Sequence, residues 1–326
     1  MTQQAQPILQ VRNLVTRIGG KRGFGNAVDD VSFDLMPGET LGLVGESGSG
    51  KSMTCLSVLR LTPPAATHIT GGQVIFDGED LLRKTGAEMR GYRGRRISMI
   101  LQDPMRALNP VLTVGEQIFE SLRLHRGLRG AALREAACEL LERVRIPDPA
   151  AGLSAYPHHF SGGMRQRVVG AIALAGNPDI LIADEPTTAL DVTVQAAFLD
   201  LLKSIQRQDR LGILFVTHDF AVVSRMCDRV AVMYAGRIVE TAPTDMLFDR
   251  PRHPYTESLL RSVPDVDRRE ERLYAIPGQP PSVFAPRTGC PFAPRCPRAM
   301  DRCRQETPPT RRLDDGHEVS CWLHEE

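Results

Sequence analysis

The apolar run Thr40, Leu41, Gly42, Leu43, Val44 leads directly into Gly45-Glu46-Ser47-Gly48-Ser49-Gly50-Lys51-Ser52, and helix-competent sequence follows. A strand, a loop of the form G-x-x-x-x-G-K-[ST] and a helix make a phosphate-binding loop, which commits the chain to an α/β core. Glycines at 45, 48 and 50 let the backbone curl until several N–H groups point inward, and the helix beginning near Lys51 adds its positive dipole end. Ser47 and Ser49 lie in the same concavity. Lys51 is expected to reach the β- and γ-phosphates of a nucleotide triphosphate, and the Ser52 hydroxyl to hold Mg²⁺. The other lysines are Lys21, Lys84 and Lys203 in a chain that otherwise favours arginine, so a lysine here fits the need for a compact ammonium. The bland alternative is a Gly/Ser-rich turn that matches by chance.

A chain of 326 residues is long enough for one large domain and a smaller appendage. Lys+Arg 40 against Asp+Glu 39 leaves a net charge of +1, so bulk electrostatics favour neither nucleic acid nor anionic membranes, and no nucleic-acid partner is expected. The first residues, Met1-Thr2-Gln3-Gln4-Ala5-Gln6, lack a basic start and an apolar stretch, and no apolar run approaches spanning length. The protein itself is expected to be soluble and cytoplasmic. Of its 7 cysteines, Cys55, Cys138 and Cys227 lie singly in helix-like sequence and read as buried thiols, whereas the others gather near the C-terminus.

Strand-like patterning runs from residue 8 to 35, broken by the glycine and basic stretch 19–23. A helix over 53–61 ends at Pro63-Pro64, and strands are expected at 73–76 and 97–101. Residues 113–124 and 131–144 carry helical periodicity, ended by Pro147 and Pro149. A helix over 163–175, strand 180–183, helix 192–205 and strand 213–216 restore α/β alternation, and such bare apolar strands suit a parallel sheet covered on both faces. Beyond about residue 250 the sequence turns rich in proline, arginine and cysteine, which reads as a separate, loop-dominated module.

Four further features separate this phosphate loop from those of kinases and GTPases. Phe160-Ser161-Gly162-Gly163-Met164-Arg165-Gln166-Arg167 offers a hydroxyl, free N–H groups and a helix dipole, which together suit a γ-phosphate; as structure alone, Ser161 could be a helix cap. Asp184 and Glu185 end the apolar strand, where open α/β sheets deliver catalytic groups. Val216-Thr217-His218-Asp219 follows another strand, although a lone histidine is more often structural, and Gln102 in Ile100-Leu101-Gln102-Asp103-Pro104 could equally cap a turn.

Together these motifs resemble those of the ATP-binding cassette (ABC) ATPases, with Phe160 where the family often has leucine. The resemblance implies an α/β nucleotide-binding domain over residues 1–250, built from a RecA-like parallel-sheet core, an antiparallel β subdomain and a helical subdomain inserted at about 104–165. It also assigns roles. Ser161, Gly162 and Gly163 become the signature that meets the ATP of a partner subunit in a head-to-tail dimer. Asp184 supports Mg²⁺ through water, Glu185 polarises the attacking water, Gln102 senses Mg²⁺ and that water, Asp191 lies at the dimer seam and His218 contacts the γ-phosphate. The family often stacks adenine on an aromatic residue where this chain has Ile18, which leaves Phe24 as a candidate replacement ring.

Arg250-Pro251-Arg252-His253-Pro254-Tyr255-Thr256 and Ile276-Pro277-Gly278-Gln279-Pro280-Pro281 resemble the C-terminal region of ATPase subunits from bacterial dipeptide and oligopeptide importers. A C-terminal module over 251–326 is expected, carrying Cys290, Cys296, Cys303 and Cys321 as C-x₅-C-x₆-C-x₁₇-C. That spacing is not the paired C-x₂-C of a zinc ribbon, and a reducing cytoplasm disfavours two disulfides, so a thiolate-bound metal is the better reading. The resemblance implies a [4Fe–4S] cluster; zinc and free thiols stay open. It further implies a peripheral protein on the cytoplasmic face of the cell membrane. Its partners would be a second ATPase subunit, two transmembrane permease subunits and, indirectly, a periplasmic or extracellular solute-binding protein. A paralogue fits as that second subunit because the subfamily usually pairs two different ATPases. Short peptides are the expected cargo, with nickel, an opine or another solute open. A soluble ABC ATPase unrelated to transport is disfavoured, since no second cassette, long coiled coil or basic arm is visible. Glu185 and His218 argue against a binding module without turnover.

Overall fold

The computed structural model describes residues 6–21, 23–103, 107–188, 190–263, 274–286, 288–313 and 316–325. Its strands, in chain order, are β1 (Leu9–Gly20), β2 (Gly23–Leu35), β3 (Thr40–Val44), β4 (Thr67–Phe76), β5 (Glu79–Asp80), β6 (Ile97–Ile100), β7 (Ile180–Asp184), β8 (Gly212–Thr217), β9 (Arg229–Tyr234), β10 (Arg237–Pro243), β11 (Arg311–Arg312) and β12 (Glu318–Val319). The contacts divide the chain into two compact units. One contains Leu35–Glu39 and Arg83–Val216; the other contains Leu9–Asp34, Thr40–Leu82 and everything from Thr217 onward.

In the first of these, β6, β7 and β8 are parallel neighbours, and every residue of β7 and β8 is buried. Burial on both faces needs a helical cover, and this unit supplies Gly162–Leu174 and Val192–Asp209. The inserted helices Val114–Arg126 and Gly130–Arg143 bury Val114, Ile118 and Leu122 from one and Leu133, Ala136, Ala137, Leu140 and Leu141 from the other, the stripe that period 3.6 demands. Thr113 and Glu116 form a capping box on the first, and Gly127, at φ 67°, ends it. Pro147 and Pro149 mark less of a stop than expected. Asp148 caps a further helix, Pro149–Ser154, in which Pro149 takes the first turn, where its missing N–H costs nothing. The expected junction at Pro104 and Met105 lies outside the described residues.

The second unit holds an antiparallel sheet ordered β2-β1-β4-β5. The β1–β4 register shifts between Arg12 and Thr16, and Asn13 there adopts φ 48°. This bulge moves the inward set from Leu9 and Val11 to Leu14 and Thr16, as one extra residue must. A Cβ on Gly72 would come within 2.6 Å of the Asn13 carbonyl, so the bulge and that glycine require each other. Strand β4 starts at Thr67, six residues before the expected 73. In the same unit β3 runs parallel to β9, β9 pairs antiparallel with β10, and β10 pairs with β12, which pairs with β11. The proline-rich C-terminal segment is therefore tied by strand pairing to the β9–β10 hairpin, and it contributes the helices Pro254–Arg261 and Asp301–Gln305 besides.

Candidate functional site

The phosphate loop leaves β3 as expected and enters the helix Lys51–Val58. Gly45, Gly48 and Gly50 have φ of 150°, 78° and 107°, the region that side chains avoid. A Cβ on Gly45 would lie 2.1 Å from the Met233 carbonyl, and one on Gly50 2.5 Å from that of Ala27, so the tight curl excludes larger residues. Lys51 is buried and donates to the carbonyls of Gly45 at 2.8 Å and Glu46 at 3.0 Å. Its ammonium is thereby held across the mouth of the loop. Ser47 and Ser52 are exposed, whereas Ser49 is buried and its carbonyl accepts from Gly236. His218, in the same unit, is exposed just beyond β8.

The other unit carries the carboxylates. Asp184 ends β7 and is buried. Glu185 follows at φ 46°, a conformation unusual for any residue with a side chain. Its N–H donates to the Val216 carbonyl at 2.9 Å, and its Oε2 accepts from Gln102 Nε2 at 2.9 Å and Thr188 Oγ1 at 3.1 Å. Gln102 and Glu185, widely separated in sequence, are thus brought together. Thr188 is a contributor that motif reading passes over, because its role depends on the turn after β7.

Ser161 caps Gly162–Leu174, its Oγ accepting from the Met164 N–H at 3.4 Å, and Asp191 caps Val192–Asp209, its Oδ1 accepting from Val194 at 3.0 Å. Ser161 thereby fills the bland role the sequence allowed, and the cap at Asp191 is added by the structure. A Cβ on Gly163 would come within 2.2 Å of Val194, whereas one on Gly162 would meet open space. Gly163 is therefore needed for helix contact, whereas the space beside Gly162 is open.

Ile18 is half-buried in β1 opposite Thr67. Phe24 is 55 % exposed, tilted against His68 with ring centroids 5.7 Å apart and covered by Arg17. It is available as a stacking surface.

Cys290, Cys296, Cys303 and Cys321 line one apolar cavity together with His253, Phe292 and Trp322. The Cys290 N–H donates to the Cys303 carbonyl at 2.7 Å, and the Trp322 indole donates to the Glu306 carbonyl at 3.0 Å. Burial pushes the Cys290 thiol up to about 11 and raises Cys296 and Cys321 as well. Thiolates in such walls need a cation to hold their charge. Among the described residues no three His, Cys, Asp or Glu groups sit at metal-ligating geometry, so the cavity gathers the donors without drawing them into a coordination sphere.

The ABC transporter family matches residues 28–188, and the family described as "Oligopeptide/dipeptide transporter, C-terminal region" matches residues 239–303. The chain is 50% identical over 321 residues to the dipeptide transport ATP-binding protein DppD of Bacillus subtilis (strain 168), an alignment covering 98% of this chain and 96% of that protein. Identity to the oligopeptide transport ATP-binding protein OppD of the same organism is 48% over 317 residues, covering 97% and 88%. Among solved structures, the dimeric post-hydrolysis state of the ATP-binding cassette MJ0796 bound to ADP and Pi matches with a TM-score of 0.65 at 27% identity, covering 72% of this chain and 98% of that one. The expected ABC-type nucleotide-binding fold is confirmed. Motifs, fold and relatives agree, and the chain belongs to the ATP-binding proteins of the ABC transporter family, in the group that carries the oligopeptide/dipeptide transporter C-terminal region.

Proposed function

We propose that this protein hydrolyses ATP to power the import of di- or oligopeptides through a membrane transporter. The observation that carries hydrolysis is Glu185, whose carboxylate is oriented by Gln102 and Thr188 at the end of a buried strand. Gly45, Ser47, Gly48, Ser49, Gly50 and Lys51 bind the triphosphate, and Ser52, Asp184 and Gln102 hold Mg²⁺. When bound, the ion would neutralise charge on the phosphate oxygens. Glu185 accepts the proton of the attacking water, and His218 orients toward the γ-phosphate. Ser161, Gly162 and Gly163 complete the site of a second ATPase subunit in a head-to-tail dimer, with Asp191 at the seam. The dimeric state of the ATP-binding cassette among the structural relatives supports a dimer.

No helix among the described residues is long and apolar enough to cross a membrane. In this proposal translocation belongs to two permease subunits, with a solute-binding protein delivering the peptide. Leu101 and Val111, 47 % and 75 % exposed, suit permease contact at the cytoplasmic face of the membrane. The names of the relatives support peptide as the cargo.

In this proposal residues 1–250 form a nucleotide-binding domain with its helical insert, and residues 251–326 form a C-terminal module. In that module Cys290, Cys296, Cys303 and Cys321 hold a [4Fe–4S] cluster, zinc being the rival occupant. The four soft donors lining one cavity support this reading, in which the group would act as a structural staple.

Reconstitution with the permease subunits tests the central reading. MgATP-dependent uptake of a labelled dipeptide is expected. Ser161→Arg should leave MgATP binding to the isolated chain intact while abolishing uptake. Uptake that persists in this variant would remove the signature from its role.

A further inference from the structure

An acidic residue inside a phosphate-binding loop needs an explanation, because its carboxylate repels the ligand that the loop exists to hold. Glu46 is that residue, and its side chain is 26 % exposed. Arg295 meets it with both ends of the guanidinium, Nη1 donating to Oε2 at 2.7 Å and Nη2 to Oε1 at 3.0 Å. The Arg295 side chain is only 4 % exposed. Its remaining donors are also used: Nε to the Pro277 carbonyl at 2.8 Å, Nη1 to Tyr234 Oη at 3.3 Å and Nη2 to the Ile276 carbonyl at 3.3 Å. A planar fork with every arm engaged is fixed in place, and lysine could not reproduce it.

The rest of Glu46 is held as well. Its N–H donates to Tyr255 Oη at 2.9 Å and its carbonyl accepts from Lys51 at 3.0 Å. Tyr255, Tyr234 and Phe292 pack edge and face with centroids 4.5–5.3 Å apart, a rigid aromatic floor beneath the contact. Arg295 itself ends the short turn Ala293–Arg295 and directly precedes Cys296. The C-terminal segment thus places a fixed positive charge on the one negative side chain of the phosphate loop.

We infer that Arg295 is a positioning residue for nucleotide binding: by neutralising Glu46 it removes a repulsion of the polyphosphate, so that the affinity of the phosphate loop depends on the folded C-terminal segment. The inference rests on the reading of residues 45–52 as the triphosphate site. It predicts an asymmetry that loss of a structural clamp cannot produce. Arg295→Met and Glu46→Gln break the same ion pair, but the first leaves a bare carboxylate beside the phosphates and the second leaves a bare guanidinium.

Calorimetric titration of the full chain with MgATP tests this, with a thermal melt of each variant confirming that it is folded. Arg295→Met should weaken binding about ten- to thirtyfold. Glu46→Gln should bind at least as tightly as the parent, and the double variant should recover most of the loss. Equal weakening in the two single variants, or no weakening in Arg295→Met, overturns the inference. If Arg295→Met does not fold, Glu46→Gln alone decides, since any loss of affinity there contradicts the electrostatic role. Lys51→Ala serves as the separate control: undiminished MgATP binding in that variant would bring down the triphosphate-site reading itself.

Discussion

Glu185 sits at φ 46°, where a side chain costs about 1–3 kcal/mol unless its surroundings hold it. The Val216 carbonyl on its N–H and two donors on its carboxylate provide that hold. Asp184, immediately before it at the end of β7, is buried. Glu185→Gln keeps the shape but cannot take up the water's proton, so MgATP turnover should fall by roughly 10²–10⁴-fold with nucleotide affinity retained. Steady-state phosphate release beside equilibrium binding checks this, and turnover near that of the parent would free Glu185 from the role. The residues of this site were legible in sequence because phosphate loops and strand-end carboxylates combine fixed spacing with fixed chemistry. Thr188 and the backbone strain at Glu185 were not, because both arise from how the turn after β7 closes. Gly163 was legible as a glycine and not as to its reason, which is the approach of Val194.

At the level of elements, boundaries came out where a cap or an apolar stripe announces them. Thr113 and Glu116 satisfy each other across the first turn of Val114–Arg126, and the Thr113 N–H and hydroxyl hold the Glu116 carboxyl below its ordinary value of 4.5. A lowered folded-state value means that this contribution is complete above about pH 4.5 and is lost as pH falls through the lower value. Thr113→Ala should destabilise the helix by about 1 kcal/mol and return the Glu116 titration toward the ordinary value, both readable by denaturant unfolding and carboxyl NMR. The helix Pro149–Ser154 and the hairpin β9–β10 were missed for different reasons. A proline reads as a stop unless the cap before it is weighed, and β9 looks like any buried apolar run until its parallel partner β3 is known.

Over the whole molecule, the C-terminal segment was read as loop-dominated because prolines and arginines hide its periodicity. Its order comes from contacts distant in sequence: β12 on β10, Phe292 on Tyr234 and Tyr255, Arg298 on Glu257. The cysteine cavity belongs to the same set. Anaerobically purified protein should contain about four iron and four sulfide per chain and be brown. Stoichiometric zinc without sulfide would favour the rival metal, and metal-free protein with separately reactive thiols would end the cluster reading. The contact between Arg295 and Glu46 spans 249 residues, and that distance matters during synthesis. Translation delivers the phosphate loop well before its counter-charge, which follows 249 residues later. On the electrostatics inferred for Arg295, a nascent or prematurely terminated chain carries a complete nucleotide-binding motif with a weakened grip on ATP.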